Sequence, residues 1–282
     1  MNLRPRPTAI LLAVAVALLL SPWQAGANLA AYFKFDGTVS DQTGQHPGTL
    51  FGPTNYVSGV VGQALNFSLG ASGPTYVELA NPDTIDFGKD FSVSLWLKTT
   101  STGQRVFLSK NITNAWAYPG KQFMTSGQQV TADCNGSGTF VGNFTGSGVS
   151  VTDGQWHHVV LTYCGTISPY WNWYVDGYQQ NSYGLDFTIG PDATGQHLRL
   201  GMRENGYGVY FLGQMDEVEI YDQTLTSVQA QYLFQHPGST ITNAPLQFVN
   251  SGTVFPRAST QAATTISTLN VDGLSTPDLF MI

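Results

Sequence analysis

Residues 151–163, which read VTDGQWHHVVLTY, form the strand around which we expect the other strands of this chain to pack. Asp153-Gly154 is a turn signal, and the side chains after it alternate between two faces of a strand. One face holds Trp156, His158, Val160 and Thr162, and the other holds His157, Val159, Leu161 and Tyr163. Because both faces contain apolar residues, we predict a strand in the middle of a stack of two sheets.

The composition of the whole chain agrees with an all-β fold. The 282 residues are 42% hydrophobic and 12% aromatic but only 10% charged, and they include 31 glycines and 14 prolines. Aromatic strands separated by glycine, with few lysines and glutamates, indicate one β-domain of ordinary size and argue against a helical bundle.

Residues 1–27 are typical of a signal peptide. Arg4 and Arg6 form its charged end, residues 10–20 form its apolar middle, and Ala25-Gly26-Ala27 is a small-residue cleavage site. A membrane anchor is the alternative, but the apolar run is about half of the roughly 20 residues that span a bilayer. We expect a protein that is secreted or at the cell surface, without membrane insertion after signal cleavage.

The charge of the chain excludes two classes of partner. Loss of the two arginines with the signal peptide changes the formal net charge from −7 to −9. Nucleic acid and anionic membranes attract basic patches, so neither is an expected partner.

The two cysteines, Cys134 and Cys164, each lie at the end of a predicted strand. In an exported chain one disulfide between them is the favoured interpretation, and two separate thiols are the alternative.

Period-two patterns and turn signals divide the chain into short strands followed by one helix. The predicted strands are residues 31–35, 64–67, 76–79, 91–97, 105–110, 128–134, 156–163, 171–175, 197–202 and 213–221. Thr226 as N-cap and Gln229 three residues later form a capping box, and the helix ends near His236. We predict one domain over residues 28–238 and a linker or tail over residues 239–282.

Three sequence blocks, in order, resemble the laminin G-like members of the concanavalin A-like lectin/glucanase superfamily. The blocks are YFKFDG (32–37) with Asp41 and Gly44, DGQWHHV (153–159) with YVDG (174–177), and GQMDEVEIY (213–221) with Leu225. The resemblance covers about residues 29 to 236. It implies a two-sheet antiparallel jelly-roll sandwich, here with one short C-terminal helix, of a kind used as a sugar-binding or adhesive module in secreted bacterial proteins.

Carboxylates crowd at residues 216–219, which read DEVE. Strict alternation would place Glu217 and Glu219 on one face, exposed to solvent, and Asp216 with Val218 and Ile220 on the apolar face. Glycoside hydrolysis needs two carboxyl groups about 5–10 Å apart. The Glu-x-Asp-x-x-Glu order of related glucanases is not matched, so no enzyme is predicted.

Asp216, if it lies on an apolar face, must be paired, hydrogen-bonded or bound to a cation. Asp36 and Asp41 are the natural co-ligands for Ca²⁺, which takes carboxylate and backbone oxygens, and the resemblance supports a calcium site of this class. The alternative is that Asp216 caps backbone N–H groups while Asp36 and Asp41 only form turns.

Loop aromatics are the candidate ligand contacts, because sugar-binding proteins stack tyrosine and tryptophan rings against sugar rings. The candidates are Trp116, Tyr118, Tyr170, Trp171, Tyr207 and Tyr210. The predicted function is a non-catalytic module that binds carbohydrate or glycoconjugate. A structural or adhesive module that binds other surface proteins is one alternative, and a glycoside hydrolase is the other.

Overall fold

The computed structural model describes residues 28–111, 120–135, 140–145, 149–165, 169–184, 189–203 and 208–241, with three short strands further along the chain. The predicted signal peptide lies outside these residues. The strands are β1 (Leu29–Phe33), β2 (Gly48–Phe51), β3 (Tyr56–Ser58), β4 (Gln63–Phe67), β5 (Leu69–Gly70), β6 (Gly73–Pro74), β7 (Tyr76–Leu79), β8 (Phe91–Lys98), β9 (Arg105–Asn111), β10 (Lys121–Ser126), β11 (Gln129–Asn135), β12 (Phe140–Thr145), β13 (Trp156–Cys164), β14 (Tyr170–Val175), β15 (Tyr178–Gly184), β16 (His197–Leu200), β17 (Gly213–Tyr221), β18 (Val249–Asn250), β19 (Leu269–Val271) and β20 (Leu274–Ser275). The helical elements are a 3₁₀ turn (Pro82–Thr84) and α1 (Ser227–Gln235).

Two antiparallel sheets form the body of the protein. Sheet A has the order β15-β14-β13-β8-β17-β4-β3, with β1 also paired to β17, and sheet B has the order β12-β11-β10-β9-β16-β7-β2. The predicted jelly-roll sandwich is confirmed, and β13 lies inside sheet A between β8 and β14, as its sequence predicts. Strands β18–β20 form a separate small sheet within the predicted tail.

Alternating residues of the two sheets meet in one apolar core. Leu161 and Tyr163 of β13 and Trp171 of β14 pack there with Phe91 of β8 and Phe123 of β10, all of them buried. Burying such side chains stabilises a fold by about 1.5–3 kcal/mol for each one. The core therefore fixes which side chains of each strand are left on the outer faces.

Helix α1 covers part of the outer face of sheet A. The Thr226 side chain accepts a hydrogen bond from the Gln229 backbone and the Gln229 side chain accepts one from the Thr226 backbone, which confirms the predicted capping box. Ala230 and Leu233 pack against Val160 and other residues of that face. Across the part of the chain that the structure describes, no helix is long and apolar enough to span a bilayer.

A β-bulge in β17 changes the predicted sides of the acidic residues. The pairing of β17 with β8 shifts between Asp216 and Glu219, and Glu217 has a positive φ of 50°. As a result Val218 belongs to the core while Asp216 does not share its face, and Glu217 and Glu219 are each only 2% exposed. The prediction that the two glutamates face solvent is wrong. The bulge separates Asp216 from the face of Val218 and Ile220. Glu219 does lie on the outer face, but that face is covered there, since Tyr221 packs with Ala230 and Leu233 of α1.

Two buried lysines share one carboxylate at one end of the sandwich. Lys110 and Lys121 are paired across β9 and β10 and lie on the core face. Asp192 forms ion pairs with both, at 3.0 Å from the Lys110 ammonium. Backbone oxygens of Ile85 and Gly190 accept further hydrogen bonds from the two ammonium groups, so this charged cluster is stabilised from several sides.

The predicted disulfide is not formed. Both cysteines lie within the described residues and no disulfide joins them. Cys134 of sheet B lies in the core, and Cys164 follows the core residue Tyr163 on β13. Because neighbouring residues of a strand point to opposite faces, the Cys164 side chain points away from the core and from Cys134.

Candidate functional site

The outer face of sheet B contains a continuous line of polar side chains, which we name the polar row. The register pairs Asp133 with Gln122, Gln122 with Ser109, Ser109 with Arg199, Arg199 with Glu78, and Glu78 with Thr49. The polar row therefore crosses six neighbouring strands, from β11 to β2.

The local sequence explains why these side chains point outward. Glu78 lies between the core residues Val77 and Leu79, and Arg199 lies between the core residues Leu198 and Leu200. Since successive strand residues alternate between faces, burying the apolar neighbours leaves the polar residue on the outside.

One half of the polar row is charged and open to solvent. The Glu78 carboxylate accepts hydrogen bonds from Arg199 Nε at 2.8 Å and, in the tautomer that donates, from His197 Nδ1 at 2.9 Å. The side chains of Glu78 and His197 are 28% and 34% exposed. Burial alone would raise the pKa of Glu78, but the hydrogen bonds from His197 and Arg199 outweigh it and hold the pKa below its ordinary value. Glu78 is therefore an ionised, firmly oriented acceptor.

The other half is buried and has unused hydrogen-bonding capacity. Gln122 Nε2 donates to Asp133 Oδ2 at 3.0 Å. Among the residues that the structure describes, Gln122 Oε1 and Asp133 Oδ1 are buried without a hydrogen-bond partner. The same holds for two side chains beside the polar row, at Thr131 Oγ1 and at both polar atoms of Asn111. Burial raises the pKa of Asp133, although Gln122 and Arg203 act in the opposite direction. Native proteins pair nearly all such groups, so the unused hydrogen-bonding capacity of these four buried side chains sets this part of the outer face apart.

The predicted aromatic contacts are not gathered at one place. Trp116, Tyr118 and Tyr207 lie outside the described residues. Tyr170 is half-buried on β14 of sheet A, whereas Tyr210 forms a bridge to Val106 of sheet B. Trp171 is fully buried in the core, which corrects its assignment as a ligand contact, since its strand neighbours Trp173 and Val175 share the inward face.

The predicted metal ligands are divided between two places. Asp216 Oδ2 accepts hydrogen bonds from Val60 N at 2.8 Å and Val61 N at 3.1 Å, and Asp36 Oδ1 accepts one from Gln63 N at 2.7 Å. These two carboxylates thus hold one loop, between β3 and β4.

Asp41 serves a different turn. Its oxygens accept hydrogen bonds from Tyr32 N, Thr43 N and His46 N at 2.8 to 3.0 Å and from the Thr43 hydroxyl. Burial opposes these bonds, but together they lower the pKa of Asp41. Among the described residues, no group of three or more His, Cys, Asp and Glu side chains is placed to hold a metal ion. The calcium site stays a prediction.

Sequence reasoning missed the polar row and an aromatic pair beside it. The alternation of residues 76–79 places Tyr76 and Glu78 on one face, but no local pattern shows which strands are neighbours. The rings of Phe51 and Tyr76 stack with their centroids 4.6 Å apart. Only the strand order brings these residues to one face.

Solved structures share this fold at low sequence identity. Domain 4 of AbnA, a GH43 extracellular arabinanase from Geobacillus stearothermophilus, in complex with arabinotriose, aligns with a TM-score of 0.56 and 22% identity over 74% of this chain and 100% of that domain. The binding domain of Paraclostridial Mosquitocidal Protein 1 aligns with a TM-score of 0.57 and 15% identity over 73% of this chain and 52% of the other. The receptor binding domain of botulinum neurotoxin C/D mosaic serotype aligns with a TM-score of 0.55 and 14% identity over 73% of this chain and 51% of the other. This chain spans about half the length of the two toxin domains.

The sequence itself identifies the family. No curated protein matches the chain. The laminin G-like family model of the concanavalin A-like lectin/glucanases superfamily matches residues 71–231, which is 161 of the 282 residues. The protein therefore belongs to the laminin G-like family of the concanavalin A-like lectin/glucanases superfamily.

Proposed function

We propose that this protein is a secreted, non-catalytic carbohydrate-binding module whose ligand site is the outer face of sheet B. The observation on which the proposal rests is the set of buried, unpartnered polar groups on Asn111, Gln122, Thr131 and Asp133. Sugar hydroxyls both donate and accept hydrogen bonds. Amide, hydroxyl and carboxyl groups in a desolvated site are the partners that fix their orientation.

The comparison with domain 4 of AbnA supports this class of ligand, because that domain was solved with arabinotriose. The extracellular arabinanase and the predicted signal peptide of residues 1–27 support secretion.

The position of the acidic residues supports a non-catalytic role. Glu217 and Glu219 are buried at the bulge of β17 in sheet A, and the hydroxyls of Tyr32 and Tyr221 donate hydrogen bonds to them. Burial raises the pKa of both glutamates. A pair of catalytic carboxyls would have to flank a ligand, whereas these two are occupied inside the protein.

A glycan array, followed by calorimetric titration of the best ligand with Ca²⁺ and with a chelator, tests the proposal. Gln122→Ala should weaken binding about tenfold, because it removes a buried hydrogen-bonding group from the site. Gln179→Ala is the control in the other sheet: the exposed Gln179 side chain donates a hydrogen bond to Asn172 Oδ1 at 3.2 Å in sheet A.

Two results would overturn the proposal. One is a wild-type protein that binds no glycan with or without Ca²⁺. The other is a Gln122→Ala variant that keeps full affinity while remaining folded. A loss of binding on chelation alone would add a calcium requirement to the site.

A further inference from the structure

A pocket of about 370 Å³ opens at one end of sheet A, and we name it the rim pocket. It lies between the end of β8, the turn before β13 and the start of β17, and its lining includes Lys98, Thr100, Ser101, Gly154 and Gln214. Small-molecule sites have volumes of about 300–1,000 Å³, so the rim pocket is large enough for a small ligand. It shares no residue with the polar row of sheet B.

One buried threonine holds the three segments of the rim pocket together. The Thr99 hydroxyl donates a hydrogen bond to the Leu212 carbonyl at 2.6 Å and accepts one from the Ser101 backbone at 3.0 Å. The Thr99 carbonyl accepts another from the Gly154 backbone at 3.0 Å. Gly154 has a φ of 82°, and a Cβ at this position would lie 3.0 Å from Thr100 Cγ2. The frame is thus fixed in advance, and glycine leaves the space beside Thr100 open.

Three different side chains lie next to one another on three strands at this pocket. Lys98 of β8 has Gln214 of β17 as one cross-strand partner and Trp156 of β13 as the other, and all three are half-buried. They lie on the outer face of sheet A, because Leu97 and Met215, which precede and follow them on their strands, belong to the core. An ammonium, an amide and an indole are therefore available on one face.

The rim pocket has a positive charge that the protein does not neutralise. Among the residues that the structure describes, no Asp or Glu lines the pocket and Lys98 forms no ion pair. Arg105 Nε donates a hydrogen bond to the Ser101 hydroxyl at 2.7 Å, so a second cation is close and the Ser101 proton points to another acceptor. Asp153, beside the pocket, is paired with His157 at 3.1 Å. These donors favour a ligand with a negative charge of its own.

We propose that the rim pocket is a second binding site, which takes the carboxylate-bearing ring of an acidic saccharide. The ligand carboxylate accepts hydrogen bonds from the Lys98 ammonium and the Ser101 hydroxyl. The Gln214 amide bonds a ring hydroxyl, and the Trp156 indole contacts the apolar face of the ring. A simple carboxylate would use only the first pair of groups, whereas a sugar acid uses all four.

Backbone amide chemical shifts of the whole ¹⁵N-labelled protein test the inference. D-Galacturonate and D-glucuronate are titrated beside their neutral counterparts, D-galactose and D-glucose, and beside acetate, which has a carboxylate but no ring. One of the uronates should shift the amides of Ser101, Gly154 and Gln214, whereas the neutral sugars and acetate should affect them about tenfold more weakly. Added salt should weaken uronate binding by the wild type, because it screens the charge of Lys98.

Three variants test the role of the ammonium. Lys98→Met should weaken uronate binding about tenfold, because it removes a charge-assisted hydrogen bond but keeps the aliphatic stem. Lys98→Arg keeps the charge and should bind within about threefold of the wild type. Lys89→Met, which removes a 79% exposed ammonium elsewhere, is the control. The amide spectrum also shows whether each variant is folded.

Several results would overturn the inference. They are uronates that leave these amides unshifted, a neutral sugar or acetate that shifts them with equal affinity, uronate binding that does not respond to salt, and a folded Lys98→Met variant with wild-type affinity. None of them bears on the site proposed for sheet B, because shifts caused by binding there would appear at the amides of the polar row.

Discussion

The hydroxyl of Tyr32 donates a hydrogen bond to the carboxylate of Glu217, 185 residues later in the chain. Tyr32 lies on β1 and Glu217 in the bulge of β17, so this bond ties the first strand to the last strand of sheet A. The Tyr32 hydroxyl has a second hydrogen-bond acceptor, the Gly238 carbonyl, at 3.4 Å.

Replacing Tyr32 by Phe should lower the free energy of unfolding by about 1–3 kcal/mol. The substitution keeps the ring but removes the hydrogen bond to Glu217 Oε2. Within the described part of the chain, Glu217 Oε1 has no hydrogen-bond partner that could compensate. Urea denaturation measures the effect, and Tyr178→Phe at an exposed position is the control. Equal stability of the Tyr32→Phe variant and the wild type would show that the bond contributes nothing.

Asp216 should make stability depend on pH below neutrality. Burial raises the pKa of Asp216 to about 7, against the hydrogen bonds from the Val60, Val61 and Glu217 amides. The folded protein therefore holds a proton that the unfolded chain releases near pH 3.8. Protonation of Asp216 thus contributes to the free energy of unfolding. The contribution is fully present below pH 3.8 and is lost as the pH rises through about 7.

Asp216→Asn should thus flatten the fall in the free energy of unfolding over that interval, because the amide cannot ionise. Denaturation curves of both proteins at a series of pH values measure the slope. A slope that is unchanged by the substitution would contradict the assignment.

His157 should make stability depend on pH in a higher range than Asp216 does. Hydrogen bonds to Asp176 at 2.8 Å and Asp153 at 3.1 Å raise the pKa of His157, although burial opposes them. The stabilisation is fully present below the unfolded value of 6.5 and is lost as the pH rises through the raised pKa. Thermal unfolding should show this loss in the wild type but not in His157→Gln.

His158 provides the internal reference for that experiment. Burial lowers the pKa of His158 to about 3, so its ring stays neutral at every pH where His157 titrates. A pH-dependent loss that persists in His157→Gln must therefore come from some other group.

Asp192→Asn should be among the most damaging single substitutions, with a loss of about 3–5 kcal/mol in the free energy of unfolding. It would remove the carboxylate that forms ion pairs with both buried ammonium groups, Lys110 and Lys121. Lys89→Ala, which removes a 79% exposed ammonium from its pairing with Asp86, should have almost no effect on the same denaturation curves. Similar losses in the two variants would contradict this explanation.

The sequence predicts the elements of this fold because their causes are local. The alternation after Asp153-Gly154 identifies β13, and the spacing of Thr226 and Gln229 identifies the start of α1. These patterns depend only on side chains within a few residues of one another, so they can be read without knowing the rest of the structure.

The candidate site depends on causes that are not local. The polar row exists only because β16 lies between β9 and β7, so that Arg199 meets both Ser109 and Glu78. The bulge at Glu217 also depends on pairing, since β17 changes its neighbour from β4 to β1 near that residue. Strict alternation consequently misplaces Asp216 and its neighbours.

The position of β17 in the chain has a consequence for biosynthesis. This strand pairs with β1, β4 and β8, yet its first residue, Gly213, leaves the ribosome after all three. Because β17 lies between β8 and β4, sheet A cannot be completed until this strand has been synthesised. Contacts this distant in sequence also form slowly. A nascent chain that ends before Gly213 would have unpaired strand edges, and such edges promote aggregation.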